Sequence, residues 1–125
     1  MKLKKIISNL SLEEKVSLLS GFDNWHTTDI KKYGIPKIKM SDGPNGVRGD
    51  SSTPQTSACF PSPILLGATW NEKLIKKIGS ATGEEALYKD VDVLLAPTIN
   101  LHRHPLGGRH FECYSEDPVL TSKIA

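Results

Sequence analysis

Apolar and polar residues alternate in recognisable periods along most of the chain, and those periods predict its elements before any chemistry is considered. Ser11 followed by Glu14 is a capping box, and Leu12, Val16 and Leu19 at helical spacing predict a short amphipathic helix that Gly21 ends. Tyr33-Gly34-Ile35-Pro36 is turn material. Ile38 and Met40 then alternate with Lys37 and Lys39, a strand pattern that breaks abruptly at Ser41-Asp42-Gly43-Pro44-Asn45-Gly46. Residues 49–63 carry no period and are rich in Ser, Thr and Pro, which predicts an irregular excursion. Ile64 to Ala68 returns the chain to the core, and Asn71 caps a predicted helix from Glu72 to Lys89. Its inner face is Leu74, Ile75, Ile78, Thr82, Ala86 and Tyr88. The run Val91, Val93, Leu94, Leu95, Ala96 fits a strand covered on both faces. Asp117 and Pro118 read as the N-cap and first turn of one more helix. Strand, helix and strand in this order form a βαβ unit, right-handed in nearly all known cases.

The chemistry is concentrated after the second strand. From Asn100 to Asp117 the chain carries His102, His104, His110, Arg103, Arg109, Glu112, Glu116 and Asp117 around a Pro-Leu-Gly-Gly turn, more polar hardware than a connector needs. Asp42 follows the first strand, and in a parallel barrel the functional groups lie on the loops after the strands. The bland alternative for Asp42 is a turn former whose carboxylate bonds nearby backbone amides. Phe22, Trp25, His26 and Thr27 either line a ligand site or anchor a packed loop, and packing is the commoner use of such residues.

Arg103, Pro105, Gly108, Arg109, Phe111, Glu112, Ser115, Glu116, Asp117 and Pro118 together resemble the R-x-P-x-x-G-R-x-F/Y-E-x-x-S-E-D-P signature of glycoside hydrolase family 3, which includes many β-glucosidases. Ser41 to Arg48 (SDGPNGVR) resembles that family's first sugar-binding loop, and Cys59-Phe60-Pro61 with Gly67-Ala68-Thr69-Trp70 resembles its next segment in order and spacing. The resemblance runs from about Leu10 to the last residue. It implies an α/β fold, a (β/α)8 TIM-type barrel of roughly 250 residues of which this chain would be the first part, about two β/α units. Residues 1–125 are therefore expected to be an N-terminal fragment of the barrel domain, with the remaining barrel and a C-terminal domain absent.

The resemblance also implies a reaction: hydrolysis of terminal β-linked glucosyl or related residues with retention, by two carboxylates ~5 to 5.5 Å apart. The substrate would be a β-glucoside or oligosaccharide, with no cofactor. Residues matching Asp42 and Arg109 hold hydroxyls of the sugar whose bond is cut, so these two are the substrate-binding candidates. The family's nucleophilic Asp and acid/base Glu belong to later segments, so no catalytic residue is assigned and the segment alone is expected to be inactive. Arg103, Glu112, Glu116 and Asp117 are expected to brace the loop or cap a helix, with orientation of Arg109 as the functional alternative. Cys113 stands where relatives often have a small or hydroxyl residue, and the stretch from Asp50 to Gln55 is locally distinctive.

Two other classes compete. His102-x-His104 after a barrel strand is an arrangement by which some barrels hold zinc, with His110 and Glu112 as further ligands, but Arg103 and Arg109 would place positive charge beside the metal. A non-catalytic sugar-binding or structural product of a truncated gene is the other. Composition narrows the rest. With 16 Lys and Arg against 14 Asp and Glu, the net charge is +2 and the basic residues are scattered, which argues against nucleic acid as the partner. Cys59 and Cys113 lack zinc-like spacing, and both are expected to be reduced and partly buried. Ser8, Asn9, Glu13 and Glu14 interrupt the N-terminal apolar stretch, and no run approaches the ~18 apolar residues of a membrane span, so a soluble, cytoplasmic protein is expected.

Overall fold

A computed structural model describes residues 3–49 and 55–125 of the chain. The elements are α1 (Leu3–Asn9), α2 (Leu12–Ser20), β1 (Met40–Asp42), α3 (Pro63–Ala68), α4 (Glu72–Tyr88), β2 (Val93–Leu95) and α5 (Pro118–Ile124), with single 3-10 turns at Lys31–Tyr33 and His110–Glu112. They divide into two units, Met1–Met40 and Ser41–Ala125.

In the first unit the capping box forms as the sequence predicts: Glu14 N donates to Ser11 Oγ at 3.2 Å and Ser11 N donates to Glu14 Oε2 at 2.9 Å. Such a cap is worth about 1 kcal/mol. Gly21 ends α2 at φ 75°, a left-handed value that favours glycine. The expected inner face is a correction, because Leu12, Val16 and Leu19 are all exposed, while Glu14, Ser17 and Leu18 are the half-buried positions. Glu14 is drawn in by its ion pair with Lys32 at 2.6 Å. The aromatic loop splits: Trp25 is half-buried and its carbonyl accepts from Met40 N at 2.7 Å, whereas Phe22 is exposed with Lys37 Nζ 3.2 Å above its ring. The helix α1 has no counterpart in the sequence reading, since Leu3, Ile6 and Ile7 occur in a stretch too short to show a period.

In the second unit β1 and β2 pair as neighbours in a two-stranded sheet. The segment from Ile64 to Ala68 is helical, so the crossover between the strands carries two helices. Pro63 occupies the first turn of α3, where its missing N–H has no intrahelical partner to lose. Helix α4 starts where Asn71 Oδ1 accepts from Leu74 N at 3.0 Å. Ile75 and Ala86 on its inner face are buried and Ile78 and Thr82 half-buried, but Leu74 is 39 % and Tyr88 85 % exposed, so neither is covered as expected. Among the described residues two clusters make the core: Leu66, Ile75, Tyr114 and Ile124 with Ile78 and Leu120 against them, and Val47, Ala86 and Val91 with Leu94.

The second strand is not covered on both faces. Val91 is buried and Leu94 half-buried, but Val93 is 43 % and Leu95 49 % exposed, so that side of the sheet is only partly covered. Residues 55–62 are irregular, as expected for the excursion, while its positions 50–54 lie outside the described residues. Asp117 caps α5 as predicted, its Oδ1 accepting from Val119 N at 2.7 Å. Both cysteines are free; Cys113 is buried, but Cys59 is exposed rather than partly buried. Among the described residues no helix is long and apolar enough to cross a membrane.

Candidate functional site

Asp42 is the last residue of β1 rather than a loop residue beyond it. Its backbone carbonyl is tied from two sides. Arg48 N donates to the Asp42 carbonyl at 2.9 Å, and the buried Ser41 Oγ donates to the same carbonyl at 3.0 Å while accepting from Gly49 N at 2.9 Å. These bonds close the 42–48 loop through the main chain. The carboxylate takes no part in them, so the turn-former alternative does not describe what is seen. It stands 44 % exposed with Arg48 Nη1 3.8 Å away, as a charged acceptor open to solvent. Gly43 and Gly46 let the loop fold this tightly: a Cβ at Gly43 would sit 2.5 Å from Leu94 Cδ1, and one at Gly46, where φ is 138°, 2.0 Å from the Ala58 carbonyl oxygen.

Arg109 leads into the 3-10 turn His110–Glu112, which brings Glu112 back beneath it. The guanidinium makes a two-pronged bond, Nε to Glu112 Oε1 at 2.9 Å and Nη2 to Oε2 at 2.6 Å. Glu112 is 13 % exposed and also accepts from Thr98 Oγ1 at 3.4 Å; Arg109 is 78 % exposed. Hydrogen bonding from Arg109 holds the Glu112 carboxyl below its ordinary range. The same bond raises Arg109, and the charge of Asp42 adds to the effect, so the two candidate residues lie within electrostatic reach of each other. One edge of the guanidinium is thus fixed and the other faces outward, ready to donate.

The histidines are engaged otherwise. His102 Nε2 donates to the Cys113 carbonyl at 2.9 Å and its ring stacks on His110 with centroids 5.2 Å apart. His104 Nδ1 accepts from Leu106 N at 3.2 Å. Among the described residues no group of three or more His, Cys, Asp or Glu side chains is placed to hold a metal ion. Arg103 and Glu116 are exposed, and Asp117 caps α5. The loop is anchored from behind: Tyr114 is buried in the core, and α3 runs so close that a Cβ at Gly67 would meet the Tyr114 carbonyl oxygen at 2.2 Å.

Residues 3–125 match the glycosyl hydrolase family 3 N terminal domain. The chain belongs to glycosyl hydrolase family 3. It is 56 % identical over 122 residues to a beta-glucosidase of Rhizobium radiobacter, covering 96 % of this chain and 15 % of that protein. It is 50 % identical over 125 residues to beta-glucosidase B of Emericella nidulans, again covering 15 % of the relative. Among solved structures it resembles a beta-glucosidase from Kluyveromyces marxianus in complex with glucose, with a TM-score of 0.86 and 42 % identity over 98 % of this chain and 15 % of that one. Beta-glucosidase 3B from Thermotoga neapolitana in complex with glucose is also similar, with a TM-score of 0.82 and 39 % identity over 100 % of this chain and 20 % of that one. The chain therefore spans about a sixth of the length of these family 3 relatives.

Three features of the site were not assigned from sequence. Arg48 stands beside Asp42, a position that six residues of spacing through two glycines does not reveal. Glu112 grips Arg109, where sequence reasoning left orientation of Arg109 as an alternative to bracing. The pair Glu85 and Lys89 lies under the Asp42 loop, although its spacing is that of an ordinary solvated helix pair.

Proposed function

We propose that this chain supplies part of the sugar-binding subsite of a retaining β-glucosidase, and that it forms the first part of a (β/α)8 barrel. What carries the reading is the state of two side chains: a half-exposed carboxylate at a strand end, with Arg48 of its own loop 3.8 Å away, and a guanidinium fixed along one edge with its other edge open. Together they offer acceptors and donors to vicinal hydroxyls, each charge-assisted bond contributing ~1.5 to 3 kcal/mol. The names of the relatives and the glucose bound in similar structures support the substrate class. An open cavity of about 710 Å³, lined in part by Gly43, Pro44, Ile75, Leu94, Ala96 and Tyr114, supports the incomplete barrel.

In this reading the hydrolytic carboxylates, nucleophile and acid/base, come from outside these residues, and Asp42 and Arg109 orient the ring between them. Binding that tightens as the ring distorts lowers the barrier rather than merely holding substrate. In an enzyme of the relatives' length carrying this segment, Asp42→Ala lowers kcat/KM for an aryl β-glucoside by ~10²-fold or more while the protein stays folded. Hydrolysis at nearly the parental rate would show that Asp42 does not bind the sugar.

A further inference from the structure

Glu85 on α4 and Lys89 at its C-terminal cap are one helical turn apart, the spacing of a surface ion pair of little consequence. Here the pair is buried. The Lys89 side chain is 1 % and that of Glu85 15 % exposed, and Nζ meets Oε1 at 2.8 Å. Lys89 Nζ also donates to the Val47 carbonyl at 2.7 Å and to Ser57 Oγ at 2.5 Å. Glu85 accepts from Ala58 N at 3.0 Å and from Val47 N at 3.4 Å. Both backbone groups of Val47, a residue with no exposed surface, are therefore held by the two charges of one helix. Ser57 Oγ adds a bond to the Val47 carbonyl at 2.7 Å, and Phe60 N to the Asn45 carbonyl at 2.7 Å joins the two chain segments again.

Removing two charges from water is costly, and a buried ion pair is a poor way to gain stability compared with apolar packing. What this pair does supply is definition of shape. Val47 is next to Arg48, whose N–H closes the loop on the Asp42 carbonyl, and Gly49 reaches the same carbonyl through Ser41. We infer that Glu85 and Lys89 are positioning residues for sugar recognition: by gripping Val47 they hold the 42–48 loop in the shape that presents the Asp42 carboxylate. Burial pushes the Glu85 carboxyl up, yet its bonds from Lys89 and the Ala58 and Val47 amides outweigh that and leave it lowered.

The inference rests on the assignment of Asp42 to sugar binding, and a double-mutant cycle read by glucose inhibition separates the two. In the enzyme containing this segment, the inhibition constant of glucose against an aryl β-glucoside is measured for Asp42→Ala, Glu85→Gln and the double variant. The expected result is a rise of about tenfold or more for Asp42→Ala, a rise of about tenfold for Glu85→Gln, and a further change of less than about twofold when Glu85→Gln is added to Asp42→Ala. A merely structural Glu85 would show the same factor on both backgrounds, and that result would overturn the inference, as would an unchanged constant in folded Glu85→Gln. If Asp42→Ala alone leaves the constant unchanged, the reading of Asp42 has failed and the positioning role falls with it. Should Glu85→Gln not fold, Ser57→Ala removes only one bond at Val47 and runs through the same cycle, with an expected rise of about threefold that vanishes beside Asp42→Ala; an unchanged constant or a persisting factor overturns the inference.

Discussion

Asp42 and Arg109 are held in place by opposite means. Asp42 is held by its backbone and leaves its carboxylate to solvent; Arg109 is held by its side chain through Glu112 and keeps one donor edge outward. An ammonium could not do both at once, since it lacks the planar fork. Arg109→Lys is accordingly expected to lower kcat/KM on an aryl β-glucoside by ~10- to 100-fold, the size of one or two lost charge-assisted bonds. His102→Ala and His104→Ala should each stay within about threefold of the parent, because their ring nitrogens bond the loop's own backbone. Loss of activity in both histidine variants that added zinc restores would contradict this. Asp42 and Arg109 were singled out by the resemblance of their two motifs to the family's, since an Asp before Gly-Pro read by itself is a common turn former. Arg48 reaches Asp42 only once the loop has turned, whereas Glu112 was expected to brace its loop and does so through Arg109.

Among the elements, legibility followed local chemistry. Caps at Ser11, Asn71 and Asp117 all formed where predicted, since each is a bond between a side chain and an amide two or three residues on. The segment from Ile64 to Ala68 is the counterexample. A short apolar run is compatible with strand or helix, and the Pro63 start of α3 decides it only when the preceding chain is seen extended. Tyr88 failed as an inner-face residue because the helix ends there and Lys89 takes the buried position instead. The cap of α5 offers a direct check. Asp117→Ala should speed hydrogen exchange of the Val119 amide about fivefold, the equivalent of about 1 kcal/mol, while the Leu74 amide at the other cap is unchanged. Equal protection of Val119 in both proteins would mean the cap adds nothing.

At the scale of the whole molecule, the mismatch between pattern and burial is informative. Leu12, Val16 and Leu19 have helical spacing and Val93 and Leu95 have strand spacing, yet all five are exposed in the chain by itself. Periodicity reports which face is apolar; it does not report what covers that face. A two-stranded sheet also leaves edges that template association. Residues 1–125 expressed alone should therefore aggregate or remain loosely structured and release no sugar from an aryl β-glucoside. A soluble monomer with a sharp unfolding transition would show an independent domain, and measurable turnover would show that catalytic carboxylates lie within these residues. The central claim, that this segment holds the sugar, is tested most directly by a crystal structure of the enzyme containing it with glucose bound. The account predicts the Asp42 carboxylate and the open edge of the Arg109 guanidinium at hydrogen-bonding distance, about 2.7 to 3.2 Å, from hydroxyls of one ring, with Glu112 still gripping Arg109. Glucose bound in the active site with Asp42 and Arg109 both turned away from its hydroxyls would contradict it.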